Sequence, residues 1–147
     1  WDAVLGNIKI EYHNLSNYDI SCACLDDRER KFITGDVGGQ ISVFNYSNGA
    51  LMKKFPPFAD GGSVTDLIYC GHAKVVLAAA STGHIRIYDE MDPENCVILR
   101  EFDHGYIHQS LGMIAYCHAA ETVISCPLSG SDGIKCWDFV LTNTSFM

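Results

Sequence analysis

The residues best suited to chemistry in this sequence are six histidines, seven cysteines and several acid-rich turns. His104 and His108 stand four apart with Asp103 beside them, a set able to move protons if a fold turned all three toward one point. The surrounding residues read as a loop between strands, not a helix, so a structural histidine and an exposed loop residue are the plainer expectation. Cys22-Ala23-Cys24 puts two thiols on one face of a strand, but no second cysteine pair stands nearby, and these read as packed thiols rather than metal ligands. Asp26-Asp27 could act as acid and base, yet the run continues Arg28-Glu29-Arg30-Lys31, which reads as a solvated mixed-charge turn. Gly35-Asp36-Val37-Gly38-Gly39 lacks the Lys and the following helix of a phosphate loop. Gly130-Ser131-Asp132-Gly133 is likewise a turn and not a nucleophile elbow. No catalytic, cofactor-binding or metal-binding set emerges, and none is expected.

Composition narrows the partners. Ten Lys and Arg against 18 Asp and Glu give a formal charge of -8, which disfavours binding to a phosphate backbone or an anionic membrane. At 48% hydrophobic and 19% charged residues the chain has the make-up of one soluble globular domain. An odd number of scattered cysteines argues for reduced thiols, so a soluble, cytoplasmic setting is expected. No apolar run reaches the roughly 20 residues that span a bilayer. Opening with Trp1 inside a motif, the chain reads as a piece of something longer.

The elements that must position these residues come from a repeat. Gly133-Ile134-Lys135-Cys136-Trp137-Asp138 has earlier copies in Gly83-His84-Ile85-Arg86-Ile87-Tyr88-Asp89 and Gly39-Gln40-Ile41-Ser42-Val43-Phe44-Asn45, and Trp1-Asp2 is the tail of another. The aromatics at 1, 44, 88 and 137 are spaced by 43, 44 and 49 residues. Ile20, Val64 and Leu111 each precede Phe32, Val76 and Val123 by 12, a second spacing that agrees in all three copies. Period-two alternation gives a first strand at 20–24, 64–68 and 111–115, a second at 31–34, 75–79 and 122–126, and the motif as the third. A short fourth strand follows at 7–12, 50–55 and 96–102. Pro127 sits in a two-residue insertion of the last copy and should stop its second strand, because Pro cannot donate to a ladder. No helix is expected. Four short strands per period of about 44 match an all-β propeller blade.

Asp132-Gly133 with Trp137-Asp138, Tyr88-Asp89 and, more distantly, Phe44-Asn45 resemble the WD-repeat family over essentially the whole chain. The resemblance implies three four-stranded antiparallel blades, counted as 7–45, 50–89 and 96–138, with residues 1–2 ending a preceding one. Three blades do not close a ring, so the rest of the propeller or a partner chain is expected to complete it. It also implies a buried His, Ser or Thr, Trp and Asp set in each blade. The matching positions are His104, Ser125, Trp137 and Asp138 in the last blade, and His13, Thr34 and Phe44 in the first. Tyr88 keeps only a hydroxyl in the middle blade, where Ala78 and Pro57 replace the other members. The phrases Asp26 to Asp36 and Phe44 to Gly49 resemble, more finely, the large WD-repeat proteins of cilia and flagella, although no EF-hand loop occurs here.

The function these readings imply is a non-catalytic scaffold for protein partners in a large assembly, with a ciliary or axonemal place implied by the finer resemblance. Loops joining the fourth strand to the next first strand carry aromatics that no strand requires, so Tyr18, Pro57, Phe58, Tyr106 and His108 are the expected interface residues. Two rivals are an enzyme with His104, His108 and Asp103 as its polar centre, and a module that grips basic peptides through Asp19, Asp36, Asp60 and Asp103.

Overall fold

The structure, a computed structural model, describes residues 2–59, 61–104, 110–128 and 133–139. Among these it contains strands and turns and no helix. Sheet 1 is the meander β1 (Ile20–Leu25), β2 (Lys31–Asp36), β3 (Ile41–Asn45) and β4 (Leu51–Phe55), and sheet 2 repeats it as β5 (Val64–Cys70), β6 (Val75–Ala80), β7 (His84–Asp89) and β8 (Ile98–Asp103). Sheet 3 contributes β9 (Leu111–Cys117), β10 (Thr122–Pro127) and β11 (Lys135–Asp138). The second strand of sheet 3 ends at Pro127, where the ladder to β9 also skips Gly112.

The three copies share irregularities as well as strands. The first strand of each sheet loses register at its second residue, Ser21, Thr65 or Gly112, and the fourth strands of sheets 1 and 2 do so at Met52 and Leu99. An extra residue in one strand sharpens the local right-handed twist. Repetition of the bulge at equivalent positions marks the three sheets as copies of one unit.

Packing follows from side-chain alternation. Ile33, Ile41 and Val43 of sheet 1 meet Leu67, Val76 and Tyr88 of sheet 2, while Leu77, Ile85 and Ile87 on the other face of sheet 2 meet Leu111, Ile114 and Val123 of sheet 3. Covered on both faces, β6 is buried at all six positions, and its residues Val-Val-Leu-Ala-Ala-Ala are uniformly apolar, as a doubly covered strand requires. By contrast β1 exposes Ile20 and Leu25.

Two expectations need correction. Residues 7–12 are not a strand; a strand exists through its ladder, and this segment has no partner strand among the described residues. The chain turns there instead, with Gly6 N–H donating to Asp2 O and Asp2 N–H to Asn7 O, both at 2.7 Å, before Tyr12 lays its ring on Phe32 at 5.1 Å. The hydrogen-bonded sheets also cut the chain at 20–55, 64–103 and 111–138, because each fourth strand pairs with the third strand just before it. The units 7–45, 50–89 and 96–138 thus count repeats and not sheets, and sheet 3 shows three strands among the described residues instead of four.

Candidate interaction surface

Alternating strand direction sends the turns to two ends. The loops between sheets and the β2–β3 and β6–β7 turns gather at one, the loop end; the β1–β2, β3–β4, β5–β6 and β7–β8 turns gather at the other, the turn end. At the loop end, Asp36 is buried and accepts from Gly38 N–H at 3.0 Å, Gln40 N–H at 2.9 Å and Ser16 Oγ–H at 2.6 Å, which fixes the Gly35 to Gly39 turn. Gly39 has φ +86°, and a Cβ there would meet Gly62 O at 2.6 Å, so this position admits only glycine. Tyr18 lies across Gly38 and remains 61% exposed. Phe58 does not reach solvent. It is 4% exposed beneath the Arg86 guanidinium, 4.6 Å from its ring, and Arg86 also donates to Pro57 O at 2.7 Å and pairs with Glu101. The expected interface residues therefore divide: Tyr18 and Pro57 are exposed, Pro57 with its carbonyl held by Arg86, Phe58 is buried beneath Arg86, and Tyr106 and His108 lie outside the described residues.

The bracing set is assembled differently in each sheet. In sheet 3 the His104 ring nitrogen Nδ1 lies 2.7 Å from Ser125 Oγ, and Trp137 Nε1–H donates to that oxygen at 2.8 Å, three members of the set that the resemblance implies. Asp138 closes β11 at the surface, its carbonyl accepting from Arg100 at 3.3 Å. In sheet 2, Tyr88 Oη–H donates straight to Pro56 O at 2.9 Å, and its ring packs on Phe55 at 4.8 Å. In sheet 1, Thr34 is buried opposite Ser42, and Phe44 stacks on Phe32 at 5.2 Å. His13 takes no part in it. Its ring is exposed near Glu11, 3.9 Å away, because the chain curls at Asn14 (φ 57°) and Ser16 makes the contact to Asp36 instead.

At the turn end the charged run Asp26 to Lys31 is not simply a solvated surface. Asp26 is buried and accepts from Arg30 N–H at 2.7 Å and Lys31 N–H at 2.9 Å, and Asp27 pairs with Lys74 of sheet 2. Glu90, a residue the sequence reading missed, is buried between Lys31 Nζ at 2.6 Å and Lys53 Nζ at 3.7 Å. Lys53 itself donates to Glu90 O at 2.9 Å and Asp92 O at 3.1 Å. Burial first, then the Glu90 carboxylate, pushes the Tyr69 hydroxyl above its ordinary pKa. The signal for Glu90 was available in the repeat, where the residue after the aromatic and acid is Tyr46, Glu90 or Phe139.

Between sheets 2 and 3 the equivalent place is aromatic. Tyr116 meets Phe139 edge-on at 4.8 Å, and His72 links Cys70 Sγ and Tyr116 Oη, each at 3.2 Å, with the His118 ring 4.2 Å away. Burial raises the Cys70 thiol pKa, and it raises Cys22 to about 11 and Cys24 to about 12, so these thiols stay protonated at neutral pH. Among the described residues no three His, Cys, Asp or Glu side chains are arranged to hold a metal ion. No helix there is long and apolar enough to cross a membrane.

Three meanders of one pattern, packed face to face with bulges at equivalent positions, superpose over 81% of the chain on the β-propeller domain of Myceliophteria thermophila Cps50 (Swd1), with a TM-score of 0.68 and 14% identity. The chain has the β-propeller fold. It corresponds to 39% of that propeller chain, a part of a ring and not the whole. No protein-family model matches it. Over 87 residues, 59% of its length, this propeller segment is 28% identical to Cilia- and flagella-associated protein 337 B of Tetrahymena thermophila, and it spans 7% of that protein. The sheets are accordingly the propeller's blades, and their seams are blade-to-blade contacts.

Proposed function

We propose that this segment serves as a rigid, non-catalytic scaffold that presents the loop end of its blades to protein partners, within a larger propeller protein of cilia or flagella. The reading is carried by how the polar groups are used. Asp36, His104 and Ser125, the residues that acid-base or peptide-gripping chemistry would need, are engaged in holding turns and blades, whereas Tyr18 stands exposed on a turn that Asp36 makes rigid. A large aromatic on a fixed support loses little entropy on binding and is the type of residue that anchors an interface. The likeness to a cilia- and flagella-associated protein supports the cellular setting.

The test is Tyr18→Ala in the full chain, with partners recovered from axonemal extract and compared by mass spectrometry. At least one partner should be lost, with the thermal unfolding midpoint unchanged because Tyr18 contributes little to the core. An identical partner set with the variant would overturn the reading.

A further inference from the structure

Tyr18 is held in a way that the blade does not require. Its ring lies on Gly38, where a Cβ would stand 2.6 Å from the ring carbon Cδ2. Gly38 does not share the left-handed backbone of Gly39 beside it, so glycine at this position answers to the ring above it and not to the turn. In the next blade the same pair is reversed. At the equivalent positions Gly62 replaces Tyr18 and Thr82 replaces Gly38, and a Cβ on Gly62 would meet the Thr82 methyl at 2.9 Å. The repeat can thus close this corner with a threonine, and the tyrosine of blade 1 is larger than the corner needs.

The seat is rigid and one-sided. Tyr18 N–H donates to Ser16 Oγ at 3.0 Å and Ser16 Oγ–H donates to Asp36 at 2.6 Å, so loop and turn form one hydrogen-bonded unit. One face of the ring rests on the Gly38 backbone, and with the side chain 61% exposed the other face is open. Ile20 and Val37, each 45% exposed, stand close by, since Val37 N–H donates to Asp19 O at 3.0 Å.

The surroundings are acidic. The connections that gather at the loop end, residues 13–19, 37–40, 56–63, 81–83 and 104–110, contain no Lys or Arg. Among the described residues there and on the adjoining strand ends, Asp19, Asp36, Asp66, Glu101 and Asp103 stand against Lys54, Arg86 and Lys135. By sequence, the connecting residues outside the described ones add Asp60 and Asp132 and no Lys or Arg. Arg86 is paired with Glu101 and Lys135 donates to His104 O, which leaves Lys54 as the base bordering the same hollow as Tyr18. Asp36 spends its oxygens on the turn but keeps its charge.

We infer that the open face of Tyr18 is a docking point for an arginine-bearing segment of a partner protein, whose guanidinium lies flat on the ring while an aliphatic neighbour packs on Ile20 and Val37. The ring face attracts a cation, and arginine, planar and weakly hydrated, stacks on it better than lysine. The acids act at a distance: their field draws in a basic segment and repels an acidic one or a nucleic acid. A purely apolar segment would use the patch and ignore the field. The inference rests on the scaffold reading and adds to it the chemistry of the partner.

The experiment uses the full chain and a fluorescein-labelled peptide, Gly-Arg-Leu-Arg-Gly, read by fluorescence polarisation beside the same peptide with uncharged citrulline at both arginine positions. Saturable binding of the arginine peptide is expected, weakened at least about threefold by Tyr18→Ala, by citrulline, and by raising salt from about 0.05 M to about 0.5 M. Tyr18→Phe should retain it. Gly38→Ala, which keeps the tyrosine but lifts its ring from the seat, should weaken it, whereas Tyr46→Ala at the turn end should not. Circular dichroism confirms that each variant folds. Absence of saturable binding, equal affinity for the citrulline peptide, indifference to Tyr18→Ala, or weaker binding with Lys54→Gln would each overturn the inference. Loss of an extract partner with Tyr18→Ala while the two peptides bind alike would overturn it and leave the scaffold reading standing. An unchanged partner set together with Tyr18-dependent arginine binding would do the reverse.

Discussion

The two seams of this propeller segment are built on one repeat frame and solved by different physics. At the turn end of seam 1 stand Lys31, Lys53, Tyr69 and Glu90; at seam 2 the same positions hold Val75, Arg100, Tyr116 and Phe139. The shared element is a base on the fourth strand reaching a backbone carbonyl of the next blade, Lys53 to Glu90 O and Arg100 to Asp138 O. The difference is in what fills the space behind it. Seam 2 closes with aromatic rings and removes apolar area from water, whereas seam 1 holds a carboxylate and an ammonium with side chains only 6% and 8% exposed. Desolvating such a pair costs several kcal/mol per ion, so the intact pair is expected to add little net stability over apolar packing of the same space.

Breaking seam 1 should give the largest effect. Glu90→Ala leaves the Lys53 ammonium buried with only carbonyl partners, and a loss of about 3–5 kcal/mol in urea unfolding is expected. Rebuilding the seam in the image of seam 2, with Lys31→Val, Lys53→Met and Glu90→Phe together, should recover most of that loss, because well-packed apolar replacements of a buried pair are neutral or stabilising. A single variant that loses less than about 1 kcal/mol would mean that the pair is solvated and that the two seams are alike in energy.

How much of this was legible beforehand depends on the distance over which the information is held. Strand periodicity and the 12-residue spacing lie within one blade, and the strands formed there, with boundaries off by one or two residues. The segment 7–12 carries the same alternation yet is no strand, because a strand needs a partner and alternation describes only one side of the ladder. The set His104, Ser125 and Trp137 came from the resemblance to WD repeats, which supplies the residue types and the positions to match. Phe58 could not be separated from Tyr18, since its burial depends on Arg86, a residue on the third strand of the following blade. The repeat marks the position of Glu90, but its burial and pairing were hidden for the same reason: its partners lie 37 and 59 residues away on another sheet.

The middle effect sharpens the contrast between blades themselves. Ser125→Ala removes the oxygen shared by the His104 and Trp137 rings, and a loss of about 1–3 kcal/mol is expected for leaving buried polar groups without that partner. The converse change in blade 2, Ala78→Ser, should bring no gain, because Tyr88 Oη already donates to Pro56 O and a new hydroxyl would enter an apolar seam. Chemical denaturation of both variants decides it. Stabilisation by Ala78→Ser would show that blade 2 has an unfilled version of the same set, and the blades would then differ by erosion rather than by substitution of one brace for another.

The smallest effect concerns the other ionic contact across seam 1, between Asp27 and Lys74. Its partners are accessible, in contrast to Lys53 and Glu90. Hydrogen bonding to the Lys74 ammonium holds the Asp27 carboxyl below its ordinary pKa. A carboxylate lowered in the folded state contributes stability that is fully present above the unfolded value of about 4 and disappears as pH falls through the lower folded value. Lys74→Met should therefore cost little at neutral pH and nothing at a pH below both values, and added salt should shrink even the neutral-pH difference, as for any exposed pair. The measurement is the thermal midpoint of the parent and variant at the two pH values. A difference that persists at the lower pH would assign the role of Lys74 to its backbone, whose carbonyl accepts from Glu90 N–H at 3.0 Å and whose φ of 53° any replacement side chain must also adopt.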